Sequence, residues 1–128
     1  MRLLLDTHVF LWALTDDERL GSDVRGSLVD PRTSAFVSAA SIWECAIKRG
    51  LGQLQLADGV HLAAAAQDVG FSPLAITGDH AVATEGLPDL HRDPFDRILI
   101  AQALVESLTL VTADEMIRSY PDVDILEH

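Results

Sequence analysis

The chain has 128 residues, 48% of them hydrophobic, and a formal net charge of -11 at pH 7. That length predicts one domain, residues 1–128, large enough to bury a core without staples, and the apolar share excludes a disordered chain. The lone Cys45 excludes an internal disulfide and suits a reducing, cytoplasmic setting; no leader is expected ahead of Asp6, and no apolar run approaches the ~20 residues needed to cross a bilayer.

In chain order, residues 2–5 read as a short buried strand ending at Asp6, because an unbroken apolar run suits a parallel sheet covered on both faces. Val9 to Leu14 suggests a short helix stopped around residues 15–17. Residues 22–29 form a second helix, with Ser22 as N-cap and Pro31 beyond its end. Ala35 to Val37 is a strand, and Ser38 to Arg49 a helix closed by Gly50 and Gly52. An Ala-rich helix is predicted over 58–69, a strand over 71–76, and a short helix capped by Thr77 through about Thr84. Gly86 to His91 is a loop. Asp93-Pro94 opens a strong helix over 94–107, since proline suits the first helical position. A strand over 108–111, a short helix over 113–118 and a strand over 123–126 complete the chain. Alternating strands and helices without hairpin signals predict an α/β fold with a mainly parallel sheet.

The negative charge argues, taken alone, against a nucleic-acid binder, because phosphates want a basic surface. It suits a basic partner, or acids clustered to bind cations. Ligands of open parallel sheets bind beyond the carboxyl ends of the strands, and acids fall near such ends. Asp6 follows the first strand. Glu44 lies on the helix after the second. Asp96 is in the first turn of the helix before the strand at 108–111, and Asp114 follows that strand. Right-handed winding lets these four converge. Four close carboxylates repel unless a cation lies between them, and hard oxygen ligands select Mg²⁺ or Mn²⁺. Such a pocket can hydrolyse a phosphodiester despite its own charge.

Each acid also has an ordinary structural role open to it. Asp6, Asp93 and Asp114 can cap the helices they precede, and an acid at Asp96 favours a helix dipole. Ser41-x-x-Glu44 matches a capping box, but within an apparent helix.

Four segments together resemble the motif blocks of PIN domains: Leu-Leu-Asp-Thr-His-Val-Phe-Leu-Trp (4–12), Ser-Ala-Ala-Ser-Ile-Trp-Glu (38–44), His-Arg-Asp-Pro-Phe-Asp-Arg-Ile-Leu-Ile-Ala-Gln-Ala (91–103) and Leu-Val-Thr-Ala-Asp (110–114). They look most like the VapC-type toxins that carry an HRDPFDR segment. The resemblance implies a three-layer sandwich around a mainly parallel five-stranded sheet and a metal-dependent endoribonuclease using Mg²⁺ or Mn²⁺. It carries the catalytic and metal-binding roles onto Asp6, Glu44, Asp96 and Asp114. Thr7, Asp93 and Thr112 are expected beside them; Asp93, one helical turn from Asp96, is the alternative to it as the direct ligand and otherwise a cap. Arg92 and Arg97 are expected either to hold the RNA backbone or to be solvated or paired charges. His91 is read as an exposed loop residue, and Trp12 and Trp43 as core or interface packing. The resemblance further implies an RNA substrate, a VapB-type antitoxin and a homodimer.

Three rivals stand beside it. A phosphoacceptor receiver needs an acid pair after the first strand and a lysine at a late strand end, whereas the only lysine is Lys48, on the Glu44 helix. A PIN-like scaffold without catalysis would lack some of the acids. A nuclease for DNA or for structured RNA in processing differs from a toxin only in substrate.

Overall fold

The computed structural model describes residues 1–128. Its elements are β1 (Arg2–Leu5), α1 (Thr7–Leu14), α2 (Ser22–Val29), β2 (Ser34–Ser38), α3 (Ala39–Gly50), α4 (Leu62–Asp68), β3 (Ser72–Leu74), α5 (Gly78–Ala83), α6 (Pro94–Glu106), β4 (Thr109–Thr112), α7 (Glu115–Arg118) and β5 (Ile125–Glu127). The strands form one sheet in the order β3-β2-β1-β4-β5, with every neighbouring pair parallel.

β1 is central because it is apolar on both faces. Leu3 and Leu5 point into one core with Phe10, Val24, Val37 and Val111. Leu4 points into the other with Leu99, Ile100, Leu110 and Ile117. All three leucines are fully buried, and each contributes about 1.5–3 kcal/mol through the apolar surface it removes from water. The sheet is therefore covered on both sides: by α1, α2 and α4 over the first core, and by α6 and α7 over the second. α3 touches both α1 and α6 and so bridges the layers.

Local chemistry explains where the elements differ from expectation. Ser22 is the first residue of α2 rather than its cap; Gly21 takes the cap position without a side-chain bond. α4 starts at Leu62, not at residue 58, because Gly59 adopts a positive φ of 78°, which no helix interior accommodates, and His61 Nδ1 then accepts the Ala64 N–H. β3 is only three residues long. It is an edge strand containing Pro73, which has no N–H to give to a ladder.

Register decides what meets at the carboxyl end of the sheet. β1 pairs with β4 so that Leu5 lies opposite Val111, and the Asp6 N–H donates to the Val111 carbonyl at 3.0 Å. The next step of that ladder puts Asp6 beside Thr112, although they are 106 residues apart.

Candidate active site

Asp6 is the N-cap of α1, and its two oxygens serve different neighbours. Oδ1 accepts the Val9 N–H at 2.8 Å, and Oδ2 accepts the Thr112 hydroxyl at 2.5 Å. Burial pushes its carboxyl above the ordinary range, and those two hydrogen bonds offset only part of the effect. Thr7 donates its hydroxyl to Glu44 Oε1 at 2.7 Å and lies 3.1 Å from the Ser41 Oγ. Glu44 Oε2 meets Lys48 Nζ at 3.0 Å, one helical turn along α3. Ser38, not Ser41, caps α3, so Glu44 is free of the capping-box role.

Across the cleft, Asp96 lies in the first turn of α6, and its Oδ2 is 2.7 Å from His91 Nε2. The same nitrogen is 3.9 Å from Asp114 Oδ2. Burial raises the Asp96 carboxyl to about 6, with the neighbouring Asp93 charge adding to the shift and His91 opposing it. Asp93 caps α6, its Oδ1 accepting from the Phe95 N–H at 2.8 Å and the Asp96 N–H at 3.4 Å. Asp114 caps α7 through Oδ1, leaving Oδ2 toward His91.

Asp6, Glu44, Asp93, Asp96 and Asp114 thus line one cleft of about 440 Å³, together with Thr7, His91 and Lys48. Five carboxylates face it against one lysine. The donors suit a hard divalent cation, because they are mostly carboxylate oxygens and several are already aimed by hydroxyl or imidazole partners. Ligand atoms of His91, Asp96 and Asp114 lie within 4.8 Å of one another. The raised Asp6 and Asp96 carboxyls fit the same view, since a bound cation would restore their charged forms.

The remaining candidates fall elsewhere. Thr112 joins the cleft through its bond to Asp6. Arg92 is exposed and borders a separate depression with Ala81 and Pro94. Of the two readings open to Arg97, the structure favours a charge paired within the protein. Its guanidinium donates to the carbonyls of Pro88 (3.0 Å), His91 (3.2 Å) and Thr84 (3.0 Å) and to the Tyr120 hydroxyl (3.2 Å), so both terminal nitrogens have partners within the protein. His91 is corrected in the opposite sense. Its side chain is only 15% exposed and belongs to the cleft. The spacing of five residues to Asp96, across a helix start, was the one signal that could have placed it there. Trp43 is 61% exposed and meets Phe95 edge-on at 5.2 Å, so it is not core. Trp12 is half-buried at the cleft rim, between the Arg19 guanidinium and the His128 ring. An apolar groove of about 280 Å³ lies by β3, lined by none of the acids.

A PIN-domain family model matches residues 3–123. Among solved structures, the chain is similar to one in VapBC2 from Rickettsia felis bound to a promoter DNA fragment, with a TM-score of 0.74, 13% identity, and coverage of 100% of this chain and 99% of that one. It is also similar to a chain of DNA-bound VapBC from Salmonella typhimurium, with a TM-score of 0.69, 17% identity, and coverage of 99% and 98%. A chain of a toxin-antitoxin complex from Klebsiella pneumoniae gives 0.63, 17% identity, and coverage of 94% of each chain. At these identities the likeness is one of fold. No curated protein matches significantly in sequence.

Proposed function

The chain belongs to the PIN-domain family, and from that premise we propose that it is a metal-dependent endoribonuclease, the toxin of a VapC-type toxin–antitoxin pair. The observation that carries this reading is the convergence of Asp6, Glu44, Asp96 and Asp114 on one cleft at the carboxyl end of a parallel sheet. A scaffold without chemistry has no need of four converging carboxylates, whose mutual repulsion costs stability.

Those four residues would hold Mg²⁺ or Mn²⁺, which when bound supplies an activated water and neutralises charge on the phosphate. The chain's own residues prepare the cleft. The Thr112 hydroxyl fixes Asp6, and Thr7 fixes Glu44. Lys48 is the one lysine of the cleft and offers a cation to the incoming phosphodiester beside Glu44. Asp93 keeps α6 capped while adding negative charge beside Asp96.

The similar structures are toxin–antitoxin complexes, and the net charge of -11 suits an antitoxin that presents a basic residue to the cleft. A single PIN domain over residues 1–128 of each chain, two such chains in a homodimer, and cytoplasmic RNA as substrate complete the proposal. No helix is long and apolar enough to cross a membrane.

The test is cleavage of a mixed cellular RNA pool by the purified chain with Mg²⁺, Mn²⁺ or EDTA. Cutting is expected with either metal, and is expected to be abolished by EDTA and by Asp96→Asn but retained by Asp93→Asn. A folded, partner-free chain that cuts nothing under any metal would overturn the reading, and cleavage undiminished in EDTA would remove the metal from it.

A further inference from the structure

His91 takes no part in the four-carboxylate set, yet both its backbone and its ring are held by named partners. Its backbone N–H donates to the Tyr120 hydroxyl at 2.9 Å, and its carbonyl accepts from Arg97 at 3.2 Å. Arg97 also bonds Tyr120 and the carbonyls of Thr84 and Pro88, so a single guanidinium clamps the segment 84–91 against α6. Tyr120 is 4% exposed, within the core that also holds Ile117 and Leu110. The imidazole is thereby held over the cleft from a rigid base, with its Nε2 aimed at Asp96.

Two roles are open to an imidazole in that place: a nitrogen ligand of the cation, or a donor that orients a carboxylate. The ring's other nitrogen favours the second. A backbone N–H can only donate, and the Asp93 N–H faces Nδ1 at 3.4 Å, which favours Nδ1 as the acceptor and assigns the ring proton to Nε2. A protonated Nε2 cannot ligate a metal, but it can donate to Asp96 Oδ2 at the observed 2.7 Å. Resting on the nuclease reading above, we infer that His91 is a positioning residue: clamped by Arg97 and Tyr120, it donates from Nε2 to Asp96 Oδ2 and turns the other oxygen of Asp96 toward the cation.

The experiment compares the full-length wild type with His91→Ala and His91→Gln. A glutamine amide nitrogen lies as many bonds from Cβ as the histidine Nε2, and it can donate but carries no imidazole. Mn²⁺ binding is measured by pulsed EPR titration, with RNA cleavage at saturating Mn²⁺ alongside. The proton of His91 is located by ¹⁵N NMR on the metal-free wild type at mildly alkaline pH. His91→Ala is expected to weaken Mn²⁺ binding by about 10–100-fold, the range typical when a partner of a metal-bound side chain is lost, and His91→Gln to recover most of it. Saturating Mn²⁺ should return most of the cleavage activity of His91→Ala. The ring proton is expected on Nε2.

Unchanged Mn²⁺ affinity in His91→Ala overturns the inference. So does a directly bonded nitrogen in the Mn²⁺ signal of the wild type, which would make His91 a ligand, and so does a neutral ring carrying its proton on Nδ1. A wild type that neither binds Mn²⁺ nor cuts RNA defeats the nuclease reading and with it the role given to His91. That failure is distinct, because it is seen before any variant is compared.

Discussion

At Asp6, Oδ1 closes the first turn of α1 and Oδ2 takes the Thr112 hydroxyl. The cap and the site residue, which look like competing explanations in the sequence, are therefore held by one carboxylate at once. Asp114 repeats the division, with Oδ1 on α7 and Oδ2 toward His91. Such a residue can be exchanged for asparagine without losing the helix start, because the two amino acids cap about equally well. What is lost is the buried charge. Asp6→Asn is expected to abolish cleavage while raising the thermal midpoint of the metal-free protein. Full activity in that variant would remove Asp6 from the chemistry, and a lowered midpoint would mean that its charge is better compensated than its raised carboxyl implies. At this scale the sequence shows which acids exist and where they fall along the chain. It does not show that His91 joins them. That depends on Tyr120, which sits 29 residues further on and holds the loop from the core.

Among the elements, the segment between α5 and α6 shows how a loop is made rigid without secondary structure. Thr77 and His80 form a reciprocal capping box at the start of α5. The buried His80 ring then meets Glu106 Oε1 on α6 at 2.8 Å, tying the two helices together. Beyond a single 3-10 turn, Thr84–Gly86, Arg97 takes over. Arg97 reads in the sequence as either a substrate contact or a solvated or paired charge, and nothing local reveals that three carbonyls and a phenol will accept from it. Arg97→Lys tests the difference. A lysine has one nitrogen in place of a planar fork and cannot reach all four acceptors. The expected result is a loss of about 1–3 kcal/mol in urea unfolding, with RNA affinity unchanged at saturating metal. An unchanged urea midpoint with weakened RNA binding would restore the substrate contact. The elements that were legible, β1, α3, α6 and β4, carry their own signals: continuous apolar runs, a serine cap, and Asp93-Pro94 at a helix start. α4 and β3 are shorter than their composition suggests, because one glycine and one edge position set their limits.

For the molecule as a whole, alternating elements predict a parallel sheet, but strand order and register come from packing between distant segments. It is the β1–β4 register that brings residue 6 to residue 112 and so makes a site of scattered acids. The consequence is a concentration of like charge at one end of a chain whose formal net charge is already -11. Asp6 and Asp96 both have raised carboxyls in the folded state, Asp96 at about 6, chiefly through burial. A group whose folded pKa lies above its unfolded one makes the folded state hold its proton more firmly, so its contribution to stability is full below the unfolded pKa and is lost as pH rises through the folded value. Metal-free protein should therefore gain stability as pH falls from about 7.5 to about 5. Below about pH 4 the trend should reverse, because Asp17 and Asp30 are held low by Arg19 and Arg32, and their contributions disappear as those carboxylates take up protons. Thermal unfolding in EDTA across this range checks the sign. The Asp96 share should be about 1–2 kcal/mol after allowance for solvent screening, and it should vanish in Asp96→Asn, which separates it from the general relief of net charge. Saturating Mn²⁺ at the upper end of the range should bring the midpoint back up, because a cation held by the acids stabilises the ionised form that burial penalises. A midpoint in EDTA that falls steadily from pH 7.5 to 5 would mean that the cleft carries no electrostatic strain for a metal to relieve.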